Sequence, residues 1–319
     1  MIVTVTLNAA MDRTLSVPNL QLGQRHRASL SFASAGGKGI NVARALKRLG
    51  VPVVATGLAG GRNGTLIVED LTSEGILNDF VRIRGDSRTS LAVLDPISNA
   101  HTEINEWGPE VDESELEILR EKLDYLTSGA EFVVLAGSLP RGVDPGFYGD
   151  LIRDLNRKHV LSVLDCDGEP LRLGVEAEPY LVSPNMTEAE PLVGHEFADP
   201  EDLVTGLDEI AELGARNVVL TVPDGCYALL REDRSEHRLR GRAPILEAVS
   251  AVGAGDVLLA AFIAARAAGR PLEDAVRSAV ATGAASVLET GAGRFDPREA
   301  SRLAGLVEVD QLDPVGQDA

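Results

Sequence analysis

The chain has 319 residues, 44% of them hydrophobic, which is enough to bury the core of one large domain. Its 30 basic and 49 acidic residues give a formal charge of −19, which argues against nucleic acid or an anionic membrane as a partner. The sequence shows no signal-peptide pattern, no apolar run of membrane-spanning length, no CxxC pattern at Cys166 and Cys226, and no histidine spacing typical of zinc sites. We therefore expect a cytoplasmic protein.

The first predicted strand covers residues 2–7, where β-branched side chains alternate with others. Asp12 follows this strand closely. Ligands of open α/β sheets bind outside the carboxyl ends of the strands, so Asp12 is a candidate binding residue. A turn residue that bonds only to its local backbone is the alternative.

A small β-flap is predicted over residues 14–33, where short alternating segments are separated by Pro18 and Gly23. Arg25 and Arg27 lie two positions apart within it. On an extended chain they share one side, so both could reach a single phosphate group. A pair of arginines on a solvated strand is the alternative.

Residues 34–50 open with glycines, continue with helical periodicity and end at a glycine. Gly37 and its neighbouring glycines allow a ligand to approach the backbone, and Lys38 and Asn41 add polar groups at the same place. The segment is not a Walker A loop, because neither Ser nor Thr follows the lysine. It therefore predicts a helix whose start faces a ligand.

The rest of the chain alternates near-continuous hydrophobic strands with helices, which is typical of a parallel sheet covered on both faces. Arg88 stands just before a predicted strand pair over 89–109. The other predicted strands begin at residue 51 and cover part of 131–143, 159–165, 180–185 and 217–222, and the predicted helices cover 64–75, 111–126 and 271–290.

Asn185 and Glu188 place an amide and a carboxylate three residues apart after a strand. This arrangement suits Mg²⁺ held largely through water, because Mg²⁺ retains much of its hydration shell in proteins. A pattern that caps a helix N-terminus is the alternative. Gly283 lies inside a predicted helix, which indicates close approach by a ligand or by another backbone.

Residues 248–269 carry the strongest chemical signal. A turn of Gly253, Ala254 and Gly255 leads to Asp256, and an apolar segment that predicts a buried helix follows. The free N–H groups of such a helix start attract anions, and Asp256 could accept a proton from a hydroxyl group. These are the parts needed for phosphoryl transfer to an alcohol. The alternative is that Asp256 only caps the helix.

Six motifs resemble those of the ribokinase-like (PfkB) carbohydrate kinases, in particular the branch of 1-phosphofructokinases, tagatose-6-phosphate kinases and minor 6-phosphofructokinases. They occur in order and span almost the whole chain, and the combination of GGKGINVA, GSLP and GAGD is far more specific than any one glycine motif. The motifs are TLNAAMD (6–12), GGKGINVARAL (36–46), TEINEWGP (102–109), GSLPRGV (137–143), SPNMTEAE (183–190) and VGAGD (252–256).

The resemblance implies one domain over residues 1–319 with a ribokinase-like three-layer α/β/α fold. This fold has a mostly parallel central sheet and a small β-sheet lid, here formed by about 13–34 and 88–108. The lid implies a homodimer. ATP and Mg²⁺ are the implied cofactors, and a monovalent cation is compatible with the family. The implied substrate is a sugar phosphate.

Roles of single residues also follow from the resemblance. Asp256 resembles the catalytic base, and Gly253, Ala254 and Gly255 resemble the anion hole for the transferring phosphoryl group. The other implied contacts are Asp12, Gly37 and Asn41 to sugar hydroxyls; Arg25, Arg27, Lys38 and Arg88, with Ser138 nearby, to the substrate phosphate; Asn185 and Glu188 to Mg²⁺ and the nucleotide phosphates; and Thr221, Gly225 and Gly283 to the nucleotide.

We therefore expect an ATP-dependent kinase that converts fructose 1-phosphate to fructose 1,6-bisphosphate. The alternatives are tagatose 6-phosphate or fructose 6-phosphate as substrate, or a non-catalytic regulator that binds sugar phosphates. Two departures from the family pattern concern the nucleotide strand, where residues 221–226 are one residue short, and the glycine-rich turn at 60–64. In that turn, Arg62 and Asn63 stand where Asp is common.

Overall fold

The central feature of the protein is a large twisted sheet with helices on both faces. The computed structural model describes residues 1–98, 100–232 and 234–314. The elements of its first third are β1 (Ile2–Thr6), β2 (Ala10–Ser16), β3 (Leu30–Gly36), α1 (Lys38–Arg48), β4 (Val53–Gly60), α2 (Gly61–Ser73), β5 (Leu77–Ile83), β6 (Arg88–Asp95) and β7 (Ala100–Asn105).

The remaining elements are α3 (Glu113–Thr127), β8 (Phe132–Ala136), α4 (Phe147–Arg157), β9 (Leu161–Asp165), α5 (Gly168–Val175), β10 (Leu181–Val182), α6 (Met186–Val193), α7 (Pro200–Glu212), β11 (Val218–Val222), β12 (Gly225–Glu232), β13 (Ser235–Arg242), α8 (Ala254–Ala267), α9 (Leu272–Ser286), α10 (Pro297–Ala304) and β14 (Glu308–Leu312). From α3 to α6 these elements alternate helices with strands, and two runs of consecutive elements of one type follow, β11 to β13 and α8 to α10.

The strand order of the large sheet is β14-β13-β12-β11-β10-β9-β8-β1-β4-β5, counted over the described residues. From β11 to β5 every neighbouring pair is parallel, whereas β12, β13 and β14 add an antiparallel edge. The prediction of a mostly parallel sheet is therefore confirmed. Because parallel strands end at one edge, their polar exits meet there.

Two separate apolar cores cover the two faces of this sheet. Along β8, Phe132, Val134 and Ala136 face a core that includes α1, α2, α8, α9 and α10. Val133 and Leu135 point the other way, into a core that includes α3 to α7. The two-residue period of the strand thus produces the three-layer α/β/α arrangement that the sequence predicted.

Three predicted helices differ from the structure at their ends. The helix expected over 64–75 spans Gly61–Ser73. The helix expected over 111–126 begins at Glu113, because the Asp112 side chain accepts a hydrogen bond from the Glu115 N–H and caps the helix. The helix expected over 271–290 ends at Ser286, where the chain leaves the core that α8 and α9 share. Local capping and packing set these ends, not hydrophobic periodicity.

A second, smaller sheet consists of β3-β2-β6-β7 and lies beside the carboxyl ends of the large sheet. It is mixed, because β2 pairs with β3 and β6 with β7 in antiparallel fashion while β2 and β6 are parallel. Its strands fall within the expected segments, except that β2 begins at Ala10 and β3 ends at Gly36. Among the described residues, no helix is long and apolar enough to cross a membrane.

The close approach of β1 and β4 depends on Gly57, which pairs with Thr6. Its backbone has a φ of +139°, and a Cβ atom there would lie 1.9 Å from the Thr6 carbonyl oxygen. Gly50, also at positive φ, has no atom within 4 Å of its Cβ position and provides a matched control.

We therefore expect Gly50→Ala to lower the free energy of unfolding by about 1–2 kcal/mol, the usual cost of a left-handed residue. Gly57→Ala should cost at least about 2 kcal/mol more, because the strands must also separate. Urea unfolding measures both changes, and the free energies are compared at an m value that is the same for the two variants and the parent protein. Equal losses in the two variants would show that β1 and β4 do not need this glycine.

Candidate active site

A cavity of about 780 Å³ opens at the carboxyl ends of the parallel strands, between the large and the small sheet. It collects most of the site residues that the sequence predicted. Those that line it are Asp12, Gly37, Lys38, Asn41, Arg88, Ser138, Asn185, Glu188, Thr221, Gly253, Gly255 and Asp256. Those that do not are Arg25, Arg27, Gly225, Ala254 and Gly283.

Arg25 and Arg27 are not on a strand as predicted. They lie exposed in the connection between β2 and β3, outside the cavity of this chain. The ladder between β2 and β3 closes at the pair Ser16 and Leu30, so the arginines lie beyond its last paired residues. Without strand pairing, the argument from a shared side of an extended chain does not apply to them.

Of the other three residues outside the cavity, Gly225 and Gly283 lie where segments of the chain approach closely. Ala254 is the first residue of α8. A Cβ on Gly283 would lie 3.1 Å from Leu258 Cβ, so this glycine lets α9 pack closely against α8. Such close approach within the chain is the alternative to contact with a ligand that the sequence left open. Gly225 follows a two-residue turn after β11, and its Cβ would lie 2.1 Å from the Gly241 carbonyl oxygen. The shortened segment 221–226 is thus a tight hairpin.

Asp256 lies in the first turn of α8, whose N-cap Gly253 has a φ of +78°. The carboxylate is 7% exposed and accepts a hydrogen bond of 2.8 Å from Asn41 Nδ2. Burial and then the charge of Asp165 raise its pKa from 3.8 to about 7, against the opposing effects of Lys38 and Asn41. A carboxyl group with such a pKa can accept a proton near neutral pH.

Lys38 lies between two carboxylates on the floor of the cavity. Its Nζ is 2.7 Å from Asp165 Oδ1 and 2.8 Å from Glu188 Oε1. Burial lowers the pKa of Lys38, but the charges of Asp165, Glu188 and Asp256 outweigh it and raise the pKa above its ordinary value. Lys38, which was expected to bind the substrate phosphate, is therefore paired with carboxylates in this structure.

Asn185 and Glu188 form a capping box at the start of α6, so the capping alternative is present. Each side chain accepts a hydrogen bond of 3.0 Å from the backbone N–H of the other. The second oxygen of Glu188 faces Lys38 in the cavity. The cap therefore fixes a carboxylate where it can also act on a ligand.

The donor set fits a hydrated Mg²⁺ ion better than a metal held by protein alone. Asp165, Glu188 and Asp256 supply carboxylate oxygens, and they outnumber the one ammonium group of Lys38. Within residues 1–98, 100–232 and 234–314, no three such side chains are close enough to hold a metal directly. Mg²⁺ with most of its ligands from water and phosphate matches this arrangement.

Two of the predicted substrate-binding residues, Asp12 and Arg88, belong to strands of the small sheet. Burial raises the pKa of Asp12 to about 6, with Arg88 and Arg44 opposing and Glu103 adding to the rise. Arg88 Nε donates a hydrogen bond of 3.2 Å to the Asn8 carbonyl oxygen, and Asn8 Nδ2 donates one of 3.2 Å to Ser138 Oγ. One asparagine therefore connects two candidate phosphate ligands.

Sequence reasoning missed several residues that line the cavity. Asp165 was not named as a candidate, and Asn8 appeared only as part of the TLNAAMD motif. The strand β7 and the residues after it also reach the cavity, with Glu103, Asn105 and the 84% exposed Trp107. The position of the small sheet over the strand ends, which no local pattern encodes, brings them there.

The fold and the cavity together define an α/β phosphotransferase. Residues 5–299 match the family described as pfkB family carbohydrate kinase, so the chain belongs to that family. A 1-phosphofructokinase of Borreliella burgdorferi is 33% identical over 313 residues, which cover 98% of this chain and 99% of the relative.

Two solved structures support the same assignment. Phosphofructokinase-2 of Escherichia coli in complex with substrates and products has a TM-score of 0.88 and 29% identity, and the match covers 96% of this chain and 98% of that chain. A possible 1-phosphofructokinase of Thermotoga maritima has a TM-score of 0.87 and 25% identity, with 98% and 100% covered.

The raised pKa of Asp256 implies that its charge costs stability. The folded state binds more protons than the unfolded state between pH 3.8 and about 7, so the free energy of unfolding falls as pH rises through this range. Asp256→Asn removes the charge. It should therefore raise the free energy of unfolding at pH 8 by up to about 4 kcal/mol, and the gain should disappear near pH 4.

Denaturant unfolding of both proteins at pH 4, 6 and 8 measures this difference. Asp274→Asn, at an exposed position in the first turn of α9, is the control and should show no pH-dependent gain. A variant Asp256→Asn that is no more stable than the parent protein at pH 8 would contradict the raised pKa.

Proposed function

We propose that this protein transfers the γ-phosphoryl group of ATP to the 6-hydroxyl of fructose 1-phosphate and produces fructose 1,6-bisphosphate. The observation that carries the proposal is Asp256, a buried carboxylate of raised pKa on the first turn of a helix inside a polar cavity. The name of the Borreliella burgdorferi relative supports the choice of substrate.

In this proposal Asp256 accepts the proton of the sugar hydroxyl while that oxygen attacks the γ-phosphorus. The proton goes to the carboxylate, the new P–O bond forms, and the bond to the β-phosphate oxygen breaks. Gly253 and Gly255 line the same cavity, and in this proposal the free N–H groups at the start of α8 stabilise the charge on the transferring group. Positioning and charge stabilisation supply most of the catalysis.

The nucleotide is proposed to bind along Asn185, Glu188 and Thr221, which line the cavity. A bound Mg²⁺ ion would neutralise charge on the nucleotide phosphates. Lys38 then keeps Asp165 and Glu188 in place, because its ammonium bonds to both carboxylates.

A monovalent cation and a cytoplasmic location stay predictions.

The sugar is proposed to lie between Asp12 and Asn41, with its phosphate at Arg88 and Ser138. All four line the cavity, and Asp12 and Arg88 belong to strands of the small sheet. Fructofuranose has a hydroxymethyl group at each end, so fructose 6-phosphate can present nearly the same shape with phosphate and acceptor exchanged. Kinetic comparison therefore has to decide between the two substrates.

We also propose that the small sheet acts as a lid and as the surface of a homodimer. Every residue of β7 is exposed, and Leu30 and Ile104 are more than half exposed on the same sheet. Apolar side chains on an exposed sheet with an open edge strand favour pairing with a second copy.

A coupled ATPase assay tests the function with fructose 1-phosphate, fructose 6-phosphate, tagatose 6-phosphate and fructose. The protein should give its highest kcat/KM with fructose 1-phosphate. Asp256→Asn should lower kcat by about 10²–10⁴-fold and leave KM within a few fold, because it removes the base but not the binding groups. In the parent protein kcat should fall as pH drops through about 7.

Turnover that is undiminished in Asp256→Asn would refute the mechanism. Binding of sugar phosphate without any turnover in the parent protein would instead identify a non-catalytic regulator.

Arg88 supplies the second kinetic prediction. Arg88→Ala should raise KM for fructose 1-phosphate by about 10–100-fold, the usual effect of losing a hydrogen bond to a charged group, and should change KM for fructose little. Arg82→Ala is a matched control, because Arg82 is exposed on β5 and bonds to Thr65 outside the cavity. Equal KM changes for fructose and fructose 1-phosphate in Arg88→Ala would exclude a contact with the substrate phosphate.

A further inference from the structure

We propose that Arg44, a buried residue of α1 outside the cavity lining, is a positioning residue that fixes the side-chain amide of Asn41 so that it donates to Asp256. The inference rests on the proposed function, because it concerns the base of that reaction. It adds a residue that touches neither the cavity nor the substrate.

Arg44 is held tightly by its own surroundings. Its side chain is 4% exposed, and its Nε donates a hydrogen bond of 2.6 Å to Glu74 Oε2. Nη2 donates one of 3.0 Å to the Ala35 carbonyl oxygen at the end of β3. Arg294 bonds to the other oxygen of Glu74 at 3.1 Å. These contacts fix the guanidinium group independently of its hydrogen bond to the amide of Asn41.

The hydrogen-bond chemistry allows one orientation of Asn41. Arg44 Nη1 lies 3.3 Å from Asn41 Oδ1, and a guanidinium group has donors but no acceptor. Asp256, when ionised, has acceptors but no donor. The Asn41 amide must therefore present its oxygen to Arg44 and its NH₂ group to Asp256, where the Nδ2 to Oδ2 distance is 2.8 Å.

This orientation matters because Asp256 must be ionised to act as a base. An amide N–H stabilises the carboxylate, and it acts against the rise in pKa that burial causes. If the amide rotated by half a turn, its oxygen would face the carboxylate and repel it. Arg44 excludes this state, since the rotated NH₂ group would face the guanidinium donors.

The same guanidinium also supports the turn before α8. Arg44 Nη1 donates a hydrogen bond of 3.2 Å to the Ala292 carbonyl oxygen. Ala292 in turn packs against Gly253, the N-cap of α8, where a Cβ would lie 2.8 Å from Ala292 Cβ. Arg44 thus contacts both parts of the structure that set the position of Asp256. These are the Asn41 amide and the segment at Ala292, which packs against the N-cap of α8.

A double-mutant cycle separates this role from a general role in stability. Arg44→Lys keeps a positive charge beside Glu74, but one ammonium group cannot reach all four acceptors. Arg44→Lys should lower kcat for fructose 1-phosphate by about 10–100-fold with a much smaller change in KM. In an Asn41→Ala background the same substitution should change kcat by less than about twofold, because the amide that it positions is gone.

Arg48→Lys is the matched control. Arg48 lies one turn further along α1 and donates a hydrogen bond of 2.7 Å to the Phe295 carbonyl oxygen in the neighbouring segment, and it does not line the cavity. The substitution Arg48→Lys should therefore leave kcat unchanged. Thermal unfolding of each variant shows whether the samples compared are folded.

Losses of kcat that multiply in the double variant, or an unchanged kcat in Arg44→Lys, would overturn the inference. If Arg44→Lys does not fold, Glu74→Gln loosens the guanidinium and gives the same cycle, with a loss of about threefold expected only when Asn41 is present. A parent protein without kinase activity would refute the proposed function, a result distinct from any of these.

Discussion

The structure depends on the electrostatic repulsion among several carboxylates that lie close together in one poorly solvated cavity. Asp165, Glu188 and Asp256 reach the cavity from three different elements, and the ammonium of Lys38 pairs with the first two. Without that cation the like charges would repel each other in a medium that screens poorly. With it, Asp256 keeps a pKa near neutrality and an excess of negative charge is left for a metal ion and its nucleotide.

The scaffold explains why these groups meet. β8, β9, β10 and β11 are parallel neighbours, so their exits lie side by side along one edge, and α1 and α8 both point their first turns at that edge. The helix starts at this edge favour anions, and the strand exits add polar side chains to the same ligand-binding surface. The small sheet covers this surface and adds residues of β6 and β7 to its wall.

Patterns local in sequence predicted much of this arrangement. The alternation of near-continuous hydrophobic strands with helices predicted a parallel sheet covered on both faces, and the GAGD turn predicted a carboxylate on the first turn of a buried helix, where the structure places Asp256. The partner of Lys38 could not be predicted, because Asp165 is 127 positions away and meets it only through the strand order. The atoms that approach Gly225 and Gly283 belong to distant segments of the chain. The presence of a glycine in the sequence therefore could not show whether it allows close packing or contact with a ligand.

Burial among like charges brings the pKa of the Asp256 carboxyl group close to neutral. A ¹³C NMR titration of carboxyl-labelled aspartate measures this directly, with Asp256→Asn used to assign the resonance. We expect an apparent pKa of about 7 for Asp256 in the free protein. A pKa near the ordinary value of 3.8 would contradict it.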